Sequence, residues 1–193
     1  MSKAQNGAMN DKVGTLDWVP ATTRPDLLAP PVAAALADLG DDADLVRVAE
    51  IDAELADTAA FCAAYDIGLD ISANCVVVAA KRGGERSMAA CLVLATTRAD
   101  VNGVVRRRLD ARKASFAAMD DAVAATGMEY GGITPVGLPA DWTILVDGAV
   151  AAADRVVVGS GLRRSKLLLP GALAGRLPGA EVLDGLATPV AGS

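Results

Sequence analysis

Two apolar runs, CVVVAA (Cys75 to Ala80) and SMAACLVLA (Ser87 to Ala95), stand on either side of KRGGER. Paired glycines at the centre of such a pattern supply the positive φ of a tight turn, so this segment predicts an antiparallel hairpin. The rest of the chain has to pack around it. LVRVAEI (Leu45 to Ile51) alternates as an edge strand does, and ELADTAAFCAAYDIG (Glu54 to Gly68) repeats apolar residues at helical spacing before a glycine stop. RPDLLAPPVAAALADLG predicts a short helix from the tandem prolines to Gly40. VNGVVRRRLDA predicts another, capped by Asp100 or Asn102, and MDDAVAATG a third that ends at Gly127. KASFA, WTILVD (Trp142 to Asp147), DRVVVGSG (Asp154 to Gly161) and SKLLLP (Ser165 to Pro170) are expected strands, and GALAGRL the final helix. Strands reached partly by hairpins and partly by helical crossovers imply a mixed α/β (α+β) sheet rather than a purely parallel one.

A chain of 193 residues fits one domain. The expected organisation is a mobile N-terminal tail over residues 1–22 and a single domain over 23–193. With only 3% aromatic residues, Ala, Val and Leu must fill the core, and Trp142 is expected to join them there. No apolar run approaches the roughly 20 residues of a bilayer-spanning helix, and MSKAQNGAMNDKVG lacks the apolar centre of a signal peptide. The expectation is a cytoplasmic protein with no membrane partner.

The chain has no histidine. That removes Ser-His-Asp and Cys-His nucleophilic pairs, an imidazole base and zinc sites of the common mixed type. Cys62, Cys75 and Cys91 sit among apolar neighbours with no C-x-x-C spacing, which reads as buried thiols; neither a metal site nor a cofactor is expected. The 18 basic residues against 24 acidic ones argue against indiscriminate nucleic-acid binding, so no DNA partner is expected. Basic residues still cluster at Arg106 to Arg108 with Arg112 and Lys113, and again at Arg163, Arg164 and Lys166. Each cluster reads as a solvated face or as a docking surface for the phosphates of one specific nucleic acid.

YGGITPVGLP (Tyr130 to Pro139) concentrates three glycines and two prolines between a helix and a strand. Glycine lets the backbone approach a ligand and aim its amides, and Pro135 stiffens the turn around them. It is neither a dinucleotide nor a P-loop phosphate motif. In order and spacing, Thr126-Gly127, then Gly131, Gly132, Pro135 and Gly137, then Asp147, then Gly159-Ser160-Gly161 resemble the second half of the YbaK/EbsC family. That family is the aminoacyl-tRNA editing domain related to the prolyl-tRNA synthetase insertion domain. The likeness covers roughly residues 45 to 186, more loosely in the first half.

The resemblance implies a mixed sheet, partly barrel-like and flanked by helices. It also implies a hydrolase serving translation fidelity, an aminoacyl-tRNA deacylase that cleaves in trans the ester of a mischarged tRNA carrying a small amino acid. Aminoacyl-tRNA is the implied partner, with a recruiting aminoacyl-tRNA synthetase as a further candidate. In such a family the loop offers backbone N–H groups to the aminoacyl carbonyl, while a ribose hydroxyl and a bound water supply nucleophile and proton transfer. Gly132, Thr134 and Pro135 therefore join the catalytic candidates. Gly131, Gly137, Asp147, Gly159, Ser160 and Gly161 are candidates for substrate binding, and Arg163 and Arg164 for the tRNA backbone.

One position departs from the pattern. The family carries a lysine directly before its first hairpin strand, and here Ala73-Asn74-Cys75-Val76 puts Asn74 there. The carboxamide donates hydrogen bonds but carries no charge. Lys81 lies about 23 Å along the strand and cannot substitute. Asn74 is thus either the catalytic candidate at this position or the mark of a decayed module that binds an amino acid, an aminoacyl ester or a partner protein. Asp147 reads equally as a turn cap, and Ser160 as a turn residue rather than a nucleophile, because no base adjoins it.

Overall fold

The computed structural model describes residues 12–190. Strands β1 (Lys12–Val13), β2 (Leu16–Asp17) and β3 (Val19–Pro20) precede helix α1 (Pro30–Asp38) and strand β4 (Arg47–Glu50). Helix α2 (Thr58–Tyr65) leads to β5 (Ala73–Arg82), β6 (Glu85–Leu94) and β7 (Thr97–Ala99), then to α3 (Arg106–Arg108), β8 (Lys113–Phe116) and α4 (Met119–Thr126). The remainder holds β9 (Thr143–Asp147), α5 (Gly148–Ala152), β10 (Val156–Gly159), β11 (Ser165–Leu169), α6 (Gly171–Ala174), β12 (Ala180–Leu183) and β13 (Ala187–Pro189). No helix among the described residues is long and apolar enough to cross a membrane.

The β5–β6 hairpin pairs from Ala73↔Leu94 to Arg82↔Glu85. Gly83 and Gly84 turn it at φ +58° and +92°, a backbone that L side chains rarely adopt. It lies inside a five-stranded sheet of order β12-β9-β6-β5-β8, in which β9 runs parallel to both β6 and β12 while β5 is antiparallel to β6 and β8. A second sheet, β10-β11-β4-β3, is antiparallel throughout. The mixed α/β expectation holds in this form. The barrel-like closure does not: among the described residues no sheet closes. β5 and β10 approach each other through the single bridge Ser72↔Val157, where Val157 N–H donates to Ile71 O at 2.7 Å, and no ladder develops beyond it.

Period-two alternation sorts the core. Ala90 and Leu92 of β6 join Ile144, Val146, Val156, Val158, Leu167 and Leu169 in the largest apolar cluster, together with Val32 and Leu36 of α1. The neighbouring Ala89, Cys91 and Val93 face the other way, toward Val78, Val105 and Leu145. On the outer face of the second sheet, Val157 and Leu168 meet Trp18, Ile51, Phe61 and Ile67.

Three local expectations are corrected. β4 is not an edge strand, because Val19 and Pro20 cover its outer side. Helix α2 stops at Asp66, which takes a left-handed φ of 54°, two residues before the expected glycine. Of the expected tail, residues 1–11 lie outside the described residues. Lys12–Pro20, by contrast, is strand-paired, and it buries Trp18, whose indole N–H donates to Val13 O at 2.9 Å. An aromatic group of that size is held by the apolar surface it removes from water. The two caps at Asp100 and Gly127 fall where expected: the Asp100 carboxylate accepts from Gly103 and Val104 N–H, and Gly127 sits at φ +66°.

Candidate active site

The glycine loop is first of all a place where two backbones touch. Glu129 N–H donates to Gly161 O, Gly132 N–H to Glu129 O and Gly161 N–H to Gly132 O, at 2.9, 2.9 and 2.7 Å. A Cβ on Gly159 would stand 2.2 Å from Gly132 O, and one on Gly132 2.7 Å from the Leu162 backbone. Arg163 clamps the same contact. Its backbone N–H donates to Glu129 Oε2 at 2.6 Å, and its guanidinium donates to Tyr130 O and Ala53 O.

In front of this contact an open cavity of about 360 Å³ lies where β5 meets β10. Val77, Ala122, Ile133 and Val158 give it an apolar wall, and Phe116, Met119 and Tyr130 stand exposed at its edge. Asp57, Thr58, Asn74 and Lys166 supply the polar lining. The Thr58 hydroxyl donates to Asn74 Oδ1 at 2.7 Å, which turns the carboxamide so that its NH2 is left with no partner among the described residues. The backbone amides of Gly131 and Ile133, both lining residues, are likewise without a hydrogen-bond acceptor among the described residues. Cys75 also lines the cavity, but burial first, and then neighbouring Cys91, push its thiol far up, so it stays protonated and acts as a small apolar group. Burial likewise pushes the Cys91 thiol up to about 12.

Lys166 is only 7% exposed. Its Nζ donates to Ala56 O at 2.9 Å and stands 5.1 Å from the centre of the Phe61 ring. Burial lowers its pKa from the ordinary 10.5, opposed by the nearby Cys62 and Asp57 and assisted by Arg163.

The residues singled out in the sequence separate into two groups. Asn74, Gly131 and Gly159 line the cavity together. The Gly132 amide is spent on Glu129, and Thr134 and Pro135 are buried away from the cavity, Thr134 Oγ1 with no partner among the described residues. Gly137, at φ +84°, packs against the Pro31 carbonyl of α1, and Gly161, at φ +83°, packs against Ala29. Asp147 accepts from Ala149 N–H and Ala187 N–H, both at 3.0 Å, which makes it the N-cap of α5. Ser160 is fully buried and shares a 2.7 Å hydrogen bond with Ser165 Oγ. Arg164 is exposed, with its guanidinium donating to Asp26 O and 3.9 Å from Glu50. Asp57, Thr58 and Lys166 were not singled out for the site. A sequence signal for the last existed: a lone lysine inside the apolar strand SKLLL.

Fold and cavity together define a mixed α/β protein with an open cavity at the seam of two sheets. The family model of the aminoacyl-tRNA editing domain matches residues 52–175, and the chain belongs to that family, the YbaK/EbsC-like group its sequence resembles. Among solved structures, a protein assigned as a trans-editing enzyme for prolyl tRNA synthetase superposes with a TM-score of 0.68 at 22% identity, covering 81% of this chain and 94% of that one. A hypothetical protein, APE2540, superposes with a TM-score of 0.65 at 19% identity, covering 74% and 91%. At these identities the likeness is one of fold. No curated protein matches the sequence.

Proposed function

We propose that this protein is a cytoplasmic deacylase that hydrolyses, in trans, the ester of a mischarged tRNA carrying a small amino acid. The observation that carries this reading is the single open cavity lined by both Asn74 and the unpaired amides of Gly131 and Ile133. Uncommitted donors on two walls suit a carbonyl oxygen between them. A volume of about 360 Å³ is at the small end for ligand sites, which favours a short side chain on the acyl group. Asp57, whose carboxylate caps α2 through Ala59 N–H, is the acidic group of the lining and takes the substrate's ammonium. Arg164, exposed beside Asp26 and Glu50 and next in the chain to Arg163, is retained as a contact to the tRNA backbone.

The test is deacylation of a panel of tRNAs mischarged with small amino acids, with Asn74→Ala beside wild type. Turnover of at least one ester, reduced in the variant, is the expected result; inertness of wild type on the whole panel overturns the reading. A binding module that has lost catalysis is the second reading, favoured by the uncharged carboxamide at position 74. It predicts tight binding of a free amino acid or a nonhydrolysable aminoacyl analogue without turnover, and activity gained only in Asn74→Lys.

A further inference from the structure

Lys166 is the charged residue of a strand whose five positions are all buried. Among the described residues no carboxylate pairs with its ammonium, and Ala56 O takes one of three available donor hydrogens. Burying an unpaired charge is unfavourable, and Leu168, the next side chain on the same face of the strand, packs in the apolar cluster that holds Phe61, so an apolar side chain is accommodated there. The side chain also lines an open cavity, so its two unused donors are within reach of whatever enters. Its placement relative to the other donors is fixed from two sides. Lys166 is tied to Ala56 and Asn74 to Thr58, positions separated by about 7 Å of chain. Lys166 also stands opposite Gly159 in the β10–β11 register, and Gly159 is the residue on which the Gly132 carbonyl rests. Ammonium, carboxamide and loop amides therefore border one space.

We propose that Lys166 is a catalytic residue of this site, its ammonium holding the acyl oxygen of an aminoacyl ester as that oxygen takes on negative charge. This rests on the deacylase reading above. A water oxygen adds to the acyl carbon, and the C=O electron pair moves onto the oxygen facing Nζ. Collapse re-forms the carbonyl and breaks the bond to the ribose oxygen, which takes up the proton that the water gives up. Free amino acid and a ribose hydroxyl are the products. Lys166 donates hydrogen bonds throughout and transfers no proton. Asn74 adds neutral donors, and Lys166 supplies the positive charge that a carboxamide lacks.

The experiment compares wild type, Lys166→Met and Lys166→Arg on two readouts. The first is steady-state deacylation of small-aminoacyl tRNAs. The second is binding of two aminoacyl-adenosine analogues, one with a neutral amide link and one with an anionic tetrahedral phosphonate link. Lys166→Met is expected to lower kcat about 100- to 1000-fold with KM within about twofold, and Lys166→Arg to recover part of the loss. Wild type should prefer the phosphonate, and Lys166→Met should lose that preference. A Lys166→Met variant that melts cooperatively yet keeps wild-type kcat and phosphonate affinity overturns the proposal. If wild type cleaves no ester but binds the phosphonate in a Lys166-dependent way, the deacylase reading falls and the anion-holding role of Lys166 stands.

Discussion

Thr134 keeps a hydroxyl in the interior with no partner among the described residues, a group that costs stability for as long as it is there. Valine has nearly the same shape without the polar atom. Thr134→Val should therefore raise the melting temperature by about 2–4 °C, the equivalent of about 1 kcal/mol in a chain this long, and a lowered melting temperature would show a hidden partner for the hydroxyl. Asp147 is the opposite case, since both its oxygens are used. Asp147→Ala removes the α5 cap and the acceptor for Ala187 N–H, an expected loss of about 2 kcal/mol measurable by urea unfolding. Any deacylation measured per folded molecule should be unaffected. Lys166 makes stability depend on pH. Its folded-state pKa lies below the 10.5 it has in the unfolded chain, so between those two values the unfolded state holds more protons. The cost of burying its charge is fully present below the folded value and is relieved as pH rises through it. Of the groups that face it, Cys62 and Asp57 narrow that window and Arg163 widens it. The stability of Lys166→Met relative to wild type should accordingly fall as pH is raised from neutral toward 10.5, and a constant difference would contradict the assigned shift.

Among the elements, the hairpin and the glycine loop show two different uses of glycine. Gly83 and Gly84 have open space around them and are needed for their positive φ alone. Gly159 has an ordinary φ, so its lack of a side chain matters only because the loop carbonyl of Gly132 rests on it. Gly159→Ala should cost about 1–3 kcal/mol through forced separation of strand and loop, and the displaced Gly131 and Ile133 amides should lower kcat for any ester cleaved. A variant with native stability and turnover would show that the contact is loose. Sequence patterning marked the hairpin, α1, α4, the Asp100 cap and strands β9 to β11, because each carries a local signature: turn glycines, tandem prolines, a capping side chain or an unbroken apolar run. It passed over β12 and β13, which are short and take their pairing from β9 and β7 rather than from any pattern of their own.

At the scale of the molecule, the two sheets meet at Ser72↔Val157, and the cavity exists because that seam stops after one bridge. Trp18 supports the seam from behind, sharing a core with Val157 and with Phe61, the ring beneath the Lys166 ammonium. Trp18→Ala should remove about 3–5 kcal/mol of stability, lowering the melting temperature by roughly 10 °C, and truncation after residue 20 should do at least as much. An unchanged melt for the chain lacking residues 1–20 would return this stretch to the mobile tail expected from the sequence. By itself the sequence determined the elements that rest on neighbouring residues and, through the order and spacing of short motifs, the family; the resemblance to that family led to the expectation that Asn74 and the glycine loop share one cavity, which they line. Only the tertiary structure decided that Asp147, Ser160 and Thr134 are turned inward while Lys166 reaches the cavity. Which way a side chain faces depends on strand register and on what packs behind it, and those partners lie up to 110 residues away along the chain.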